Sequence, residues 1–149
     1  METILIATDG SDESERAVEL GLELAAEQDA QVVLVHVLPP EAWTWQGPAP
    51  IYPHAVFHEP AEDTSVLTPA LQLAAERGVP AAAELVSGDP VTEIVKTADR
   101  FDADLIVLGS RGLGRVKAAL LGSISRGVLS EAKRSVLVVR QQTAAPVPA

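Results

Sequence analysis

The sequence predicts an α/β protein: one domain on an open, parallel, five-stranded sheet with helices on both faces. Three observations predict it. Short runs rich in Val, Ile, Leu or Ala recur at residues 3–8, 31–38, 81–86, 105–108 and 135–139. Segments with apolar residues at helical spacing separate them, so strand and helix alternate as in βαβ units. Most runs are apolar at nearly every position, which is the pattern of strands covered on both faces. A chain of 149 residues is long enough for one domain with a substantial core.

Thr3-Ile4-Leu5-Ile6-Ala7-Thr8 is the first strand. Asp9-Gly10-Ser11-Asp12 is a tight turn, after which Ser11 or Asp12 can cap a helix; Asp12 with Glu15 has capping-box spacing. Ala17, Leu20, Leu24 and Ala25 mark that helix, which ends near Asp29. Gln31 to Leu38 is the second strand, closed by Pro39-Pro40. His36 reads as a packed strand residue, since no nucleophile is identifiable as its partner.

From Pro39 to Pro60 the chain reads as an irregular, proline-rich loop that gathers Trp43, Trp45, Tyr52 and Phe57. It is either a patch folded over the core or a lid or dimer contact. His54 and His58 have i, i+4 spacing but no clear third ligand, so no metal site is expected. Glu62 to Arg77 reads as a helix with Val66, Leu67, Ala70, Leu71 and Ala74 on one side; Pro69 either kinks it or, in the favoured reading, marks a start near Thr68 with the proline at the first position. Gly78 ends it. Ala81 to Val86 is a weak third strand, suited to a sheet edge because alanine is a poor strand former. Ser87-Gly88-Asp89-Pro90 turns into a helix running to about Phe101.

Leu105-Ile106-Val107-Leu108 is the fourth strand, and it empties into glycines. Gly109 is followed by Gly112 and then by Gly122-Ser123, after which Ile124, Val128, Leu129 and Ala132 fall on one side of a last helix. Strand, glycine loop and helix start together suit a phosphate. Glycines allow close backbone approach, and a helix start offers unpaired N–H groups and the positive end of a dipole. Ser123 and Ser125 add hydroxyls. The same residues would also serve as a loop with a serine cap. Gly109 to Gly114 lacks the lysine and hydroxyl of a Walker A loop, because Arg115-Val116 follows. Gly112-Leu113-Gly114 lacks the third glycine of a dinucleotide fingerprint.

The spacing G-x2-G-x9-G-S resembles the ATP-binding signature of the universal stress protein family. The opening I-L-I-A-T-D-G-S-D-E-S-E-R-A, the G-S-R-G-L-G at Gly109 and the closing V-L-V-V-R are also similar to that family. The resemblance covers roughly residues 2–38 and 79–140. Prolines that the family usually carries before the last strand are replaced here by Lys133-Arg134-Ser135. With right-handed crossovers, the resemblance implies strand order 3-2-1-4-5, in the manner of adenine nucleotide alpha hydrolase-like folds. The first and fourth strands then flank the switch point.

Asp9, at the carboxyl end of the first strand, could accept hydrogen bonds from a ribose hydroxyl or an adenine amine; alternatively it caps its turn. The resemblance assigns it to the nucleoside, assigns the backbone of Val37 to the adenine edge, and puts the G-D-P loop beside the cleft. The expected binding set is Ala7, Thr8 and Asp9 from the first strand, Val37 from the second and Leu108 from the fourth. The loop and last helix add Gly109, Arg111, Gly112, Gly122, Ser123, Ile124 and Ser125. The expected ligand is ATP, with magnesium accompanying the phosphates. The resemblance also implies a homodimer paired through Val136–Val139, the exposed apolar edge. Residues 1–140 form the domain, and residues 141–149 read as a disordered tail.

Composition bounds the rest. Acidic residues outnumber basic ones 21 to 11, a formal charge of −10. That disfavours nucleic-acid backbones and anionic membranes, but not a nucleotide held by local dipoles. There is no cysteine, hence no disulfide. No basic leader precedes the first strand and no apolar run approaches membrane-spanning length, so the expected compartment is cytoplasmic. No convincing hydrolase is evident, since no base stands near Arg111, Arg115 or Lys117; slow hydrolysis or autophosphorylation on Ser123 or Ser125 stays open. The expected role is a nucleotide-dependent stress-response switch. Its alternatives are an AMP or cyclic-nucleotide module and a nucleotide-free dimeric interaction protein. A nucleotide hydrolase of the related type would want S-G-G-x-D-S after the first strand, where Thr8-Asp9-Gly10-Ser11 stands.

Overall fold

The computed structural model describes residues 1–38, 65–110 and 121–140. The strands are β1 (Thr3–Ala7), β2 (Gln31–Leu38), β3 (Ala81–Ser87), β4 (Leu105–Gly109) and β5 (Ser135–Val139). The helices are α1 (Asp12–Gln28), α2 (Leu67–Glu76), α3 (Pro90–Arg100) and α4 (Ser123–Glu131). The strands form one sheet in the order β3-β2-β1-β4-β5, as expected. All four pairings are parallel, with Ile4 opposite both Val32 and Leu105.

Strand alternation sorts the core into two layers. Ile4 and Ile6 point with Val32 and Leu34 into one layer, closed by Ala17, Leu22 and Ala25 of α1 and by Leu67, Ala70 and Ala74 of α2. Leu5, Val33, Val35, Ile106 and Leu108 point into the other, closed by Ile94 and Ala98 of α3 and Val128 of α4. Helix α1 lies close on β1 because residue 21 is glycine: a Cβ there would sit 2.5 Å from Ile6 Cδ1.

Local chemistry sets the element ends. Ser11 is the cap of α1, its hydroxyl accepting from Ser14 N–H; the Asp12–Glu15 capping box is not the arrangement adopted. Asp29 ends α1 in the left-handed conformation, at φ 53°. Helix α2 begins at Leu67, so Pro69 is its third residue rather than its first. A first-turn N–H makes no intrahelical bond, and proline is therefore tolerated there. The expected apolar side of α4 also needs correction. Val128 is buried, but Ile124 is 37% and Leu129 45% exposed. The buried positions Ser125 and Val128 are three apart, and Leu129 lies one residue round the helix from that line.

Arg134 stands where prolines were expected. It pairs with Asp99 and Asp102 and donates to the Ala103 carbonyl, tying the start of β5 to the turn before β4. At the same end of the sheet, Asp104 accepts N–H groups from Glu2 and Thr3, which holds its carboxyl below the ordinary range. The Pro39–Pro60 loop, with His54 and His58, and the tail from residue 141 lie outside the described residues. Among the described residues no helix is long and apolar enough to cross a membrane.

Candidate functional site

Parallel strands all end on one side, so the C-terminal ends of β1 and β4 meet where the chain reverses its direction across the sheet. A cavity of about 380 Å³ opens there. Its floor is Ala7, Thr8 and Asp9 from β1, Val35, His36 and Val37 from β2, and Leu108, Gly109 and Ser110 from β4. Pro90 and Ile94 of α3 form one wall, and Gly122, Ser123, Ile124 and Ser125 at the start of α4 form another.

The β1 side is rigidly bonded. Asp9 Oδ1 accepts the Ser11 N–H at 2.9 Å, so Asp9 does hold its own turn while also facing the cavity. Ser14 Oγ donates to the Ser11 carbonyl, which leaves Thr8 Oγ1 as the donor in the 3.0 Å Thr8–Ser14 bond. His36 Nδ1 lies 2.9 Å from the Thr8 carbonyl. A carbonyl only accepts, so Nδ1 carries the proton. These bonds fix the turn that presents Asp9.

The α4 side is different. Helix α1 is capped by Ser11, and α3 by Asp89, whose carboxylate accepts from Thr92 N–H and Oγ and is held below its usual pKa by those bonds. The cap of α4 is Gly122, which supplies no side-chain hydrogen bond. Among the described residues, the first-turn amides of Ser123 and Ile124, both of which line the cavity, have no side-chain cap. Such amides, with the helix dipole behind them, stabilise an anion. Gly127 lets α4 approach α3 closely, since a Cβ there would lie 2.6 Å from Val91 Cγ2.

The stem of the glycine loop is closed on itself. Gly122 N–H donates to the Ser110 carbonyl at 2.6 Å, and the Ser125 hydroxyl bridges the Ser110 and Gly122 carbonyls at 3.0 Å each. Ser125 is thus buried and its hydrogen is committed to the stem, whereas Ser123 is exposed. Gly109 is glycine for a reason the sequence did not show: a Cβ there would press on the Glu13 backbone at 3.1 Å.

Of the residues expected to bind, Ala7, Thr8, Asp9, Val37, Leu108, Gly109, Gly122, Ser123, Ile124 and Ser125 all line this one cavity. Arg111 and Gly112 lie outside the described residues. Ser14, His36, Val35, Ser110 and Ile94 also line the cavity, and the sequence did not place them there. Their roles arise from contacts across 6 to 28 residues in the first two cases, which local spacing does not encode. Pro90 was legible only through the G-D-P loop. Among the described residues no group of three His, Cys, Asp or Glu side chains could hold a metal.

The fold and cavity define an open α/β domain with a cleft at its switch point and, in the cleft wall, a helix start whose cap is a glycine. The chain belongs to the universal stress protein family, whose profile matches residues 1–140. It is 35% identical over 144 residues to the universal stress protein YxiE of Bacillus subtilis, covering 92% of this chain and 97% of that one. It is also similar to a universal stress protein solved in complex with cAMP, at 30% identity and a TM-score of 0.70, covering 93% and 96% of the two chains. A third is the universal stress protein of Archaeoglobus fulgidus in complex with dAMP, at 26% identity and a TM-score of 0.68, covering 93% and 98%.

Proposed function

We propose that this chain binds an adenine nucleotide in the β1–β4 cleft and serves as a nucleotide-dependent switch in the stress response. The observation that carries the reading is the start of α4, which alone among the three helices at this cleft lacks a side-chain cap. Its amides take the phosphate, Asp9 the ribose or adenine, and the Val37 backbone the adenine edge. The cavity volume lies in the range of small-molecule sites. Complexes of similar chains with cAMP and dAMP support an adenine nucleotide.

Within that class we assign ATP, on the G-x2-G-x9-G-S spacing from Gly109 to Ser123. Magnesium would enter with the phosphates. A monophosphate is the second reading, favoured because both of those complexes hold one. Calorimetry with ATP, AMP and cAMP decides. Binding of ATP at least as tight as AMP supports the triphosphate; AMP tighter by about tenfold, or 1.4 kcal/mol, transfers the assignment to the monophosphate. Binding of none of the three refutes the reading.

The β5 edge, with Val136, Leu137 and Val138 half-buried, is a natural seam for a homodimer. A cysteine-free chain fits the reducing cytoplasm.

A further inference from the structure

Glu13 does not line the cavity, yet it touches what holds the cavity wall in place. Its Oε2 accepts the Ser110 hydroxyl at 3.0 Å. Ser110 is 4% exposed, and each of its polar groups is engaged with a different element. Its N–H donates to the Val139 carbonyl of β5 at 2.8 Å. Its hydroxyl goes to α1 through Glu13. Its carbonyl accepts both Gly122 N–H and Ser125 Oγ from the start of α4. The Glu13 backbone lies close over Gly109, where an added Cβ would come within 3.1 Å of it, so the carboxylate comes from a helix turn seated at the end of β4.

We propose that Glu13 is a positioning residue for the phosphate end of the cleft: through Ser110 it fixes the stem that presents the α4 amides. This rests on the nucleotide reading above. A hydrogen bond to a carboxylate is stronger than one between neutral groups. Without it, the buried Ser110 hydroxyl loses its acceptor, and the residue whose carbonyl aligns Gly122 and Ser125 loses its tie to α1, so the stem is held less firmly. The loss falls on phosphate contacts. The nucleoside end is held by the separate Thr8–Ser14–Ser11 bonds and keeps its geometry.

Glu13 also carries a negative charge, which would by itself oppose a phosphate, so the two effects have opposite signs. Calorimetry with ATP, AMP and adenosine separates them in wild type, Glu13→Ala, Glu13→Gln, Ser110→Ala and the Glu13→Ala/Ser110→Ala double variant. Glu13→Ala is expected to weaken ATP and AMP about tenfold while adenosine changes by less than about twofold, the loss of one hydrogen bond confined to one end. Glu13→Gln, which keeps an acceptor, restores most of the affinity. Ser110→Ala repeats the loss, and the double variant loses no more than either single one. Unchanged or tighter ATP binding in Glu13→Ala overturns the proposal, as does an equal loss for adenosine or additive losses in the double variant. Wild-type protein that binds none of the three ligands overturns the nucleotide reading itself, an outcome distinct from binding that ignores Glu13. Should Glu13→Ala fail to fold, Ser110→Ala alone carries the phosphate-selective loss or its absence.

Discussion

Gly122 has φ −69° and ψ 166°, extended values open to any residue. Gly122→Val should therefore fold normally while its side chain stands over the α4 amides. The expected result is a wild-type circular dichroism spectrum with nucleotide binding lost in calorimetry; wild-type affinity in the folded variant would remove the phosphate from this helix. Asp9 has two jobs, the Ser11 N–H and the cavity. Asp9→Ala should cost about 1–3 kcal/mol in nucleotide affinity, and its unfolding midpoint in urea should fall as well. Affinity that stays the same while the midpoint falls would leave Asp9 only the turn. The sequence showed that Asp9 ends a strand, and that Gly122 begins a helix. It could not show that Ser125 turns inward, because its acceptor, the Ser110 carbonyl, lies 15 residues back.

Among the elements, the strands were the most legible, because residues buried on both faces leave long apolar runs. The helices were legible in place but not in rotation. Leu129 looked like a core residue by spacing and is exposed, since α4 buries only a narrow line through Ser125 and Val128. Cap chemistry at the α1 start is testable on its own terms: Ser11→Ala should destabilise the fold by about 1 kcal/mol in urea titrations. Asp89 and Asp104 supply a pH dependence. Both carboxyls lie below their ordinary value of 3.8 because backbone N–H groups bind the charged form. Their contribution is complete above that value and is lost as pH falls through the lowered folded values. Stability should fall in acid below about pH 4, and Asp104→Asn should flatten that slope; an unchanged slope would mean other carboxylates set it.

At the scale of the molecule, two apolar layers hold the sheet, and the cleft exists because the strand order reverses between β1 and β4. That order was readable from crossover rules joined to the family resemblance, not from any single segment. The contacts that sharpen the site come from residues far apart in sequence, such as Glu13 with Ser110, 97 positions later. No spacing rule reaches that far. The same architecture leaves β5 as an edge; the proposed homodimer through it should appear as a dimer in sedimentation at micromolar concentration, and a monomer there would count against it.

The proposed phosphate site consists of unadorned main-chain amides of α4. The most direct measurement is a titration of ATP into nitrogen-15-labelled protein, followed by amide chemical shifts. Saturable shifts should be largest at the Ser123 and Ile124 amides, with adenosine leaving those two nearly unmoved. Shifts at Asp9 and Val37 with none at Ser123 and Ile124 would contradict the proposed site.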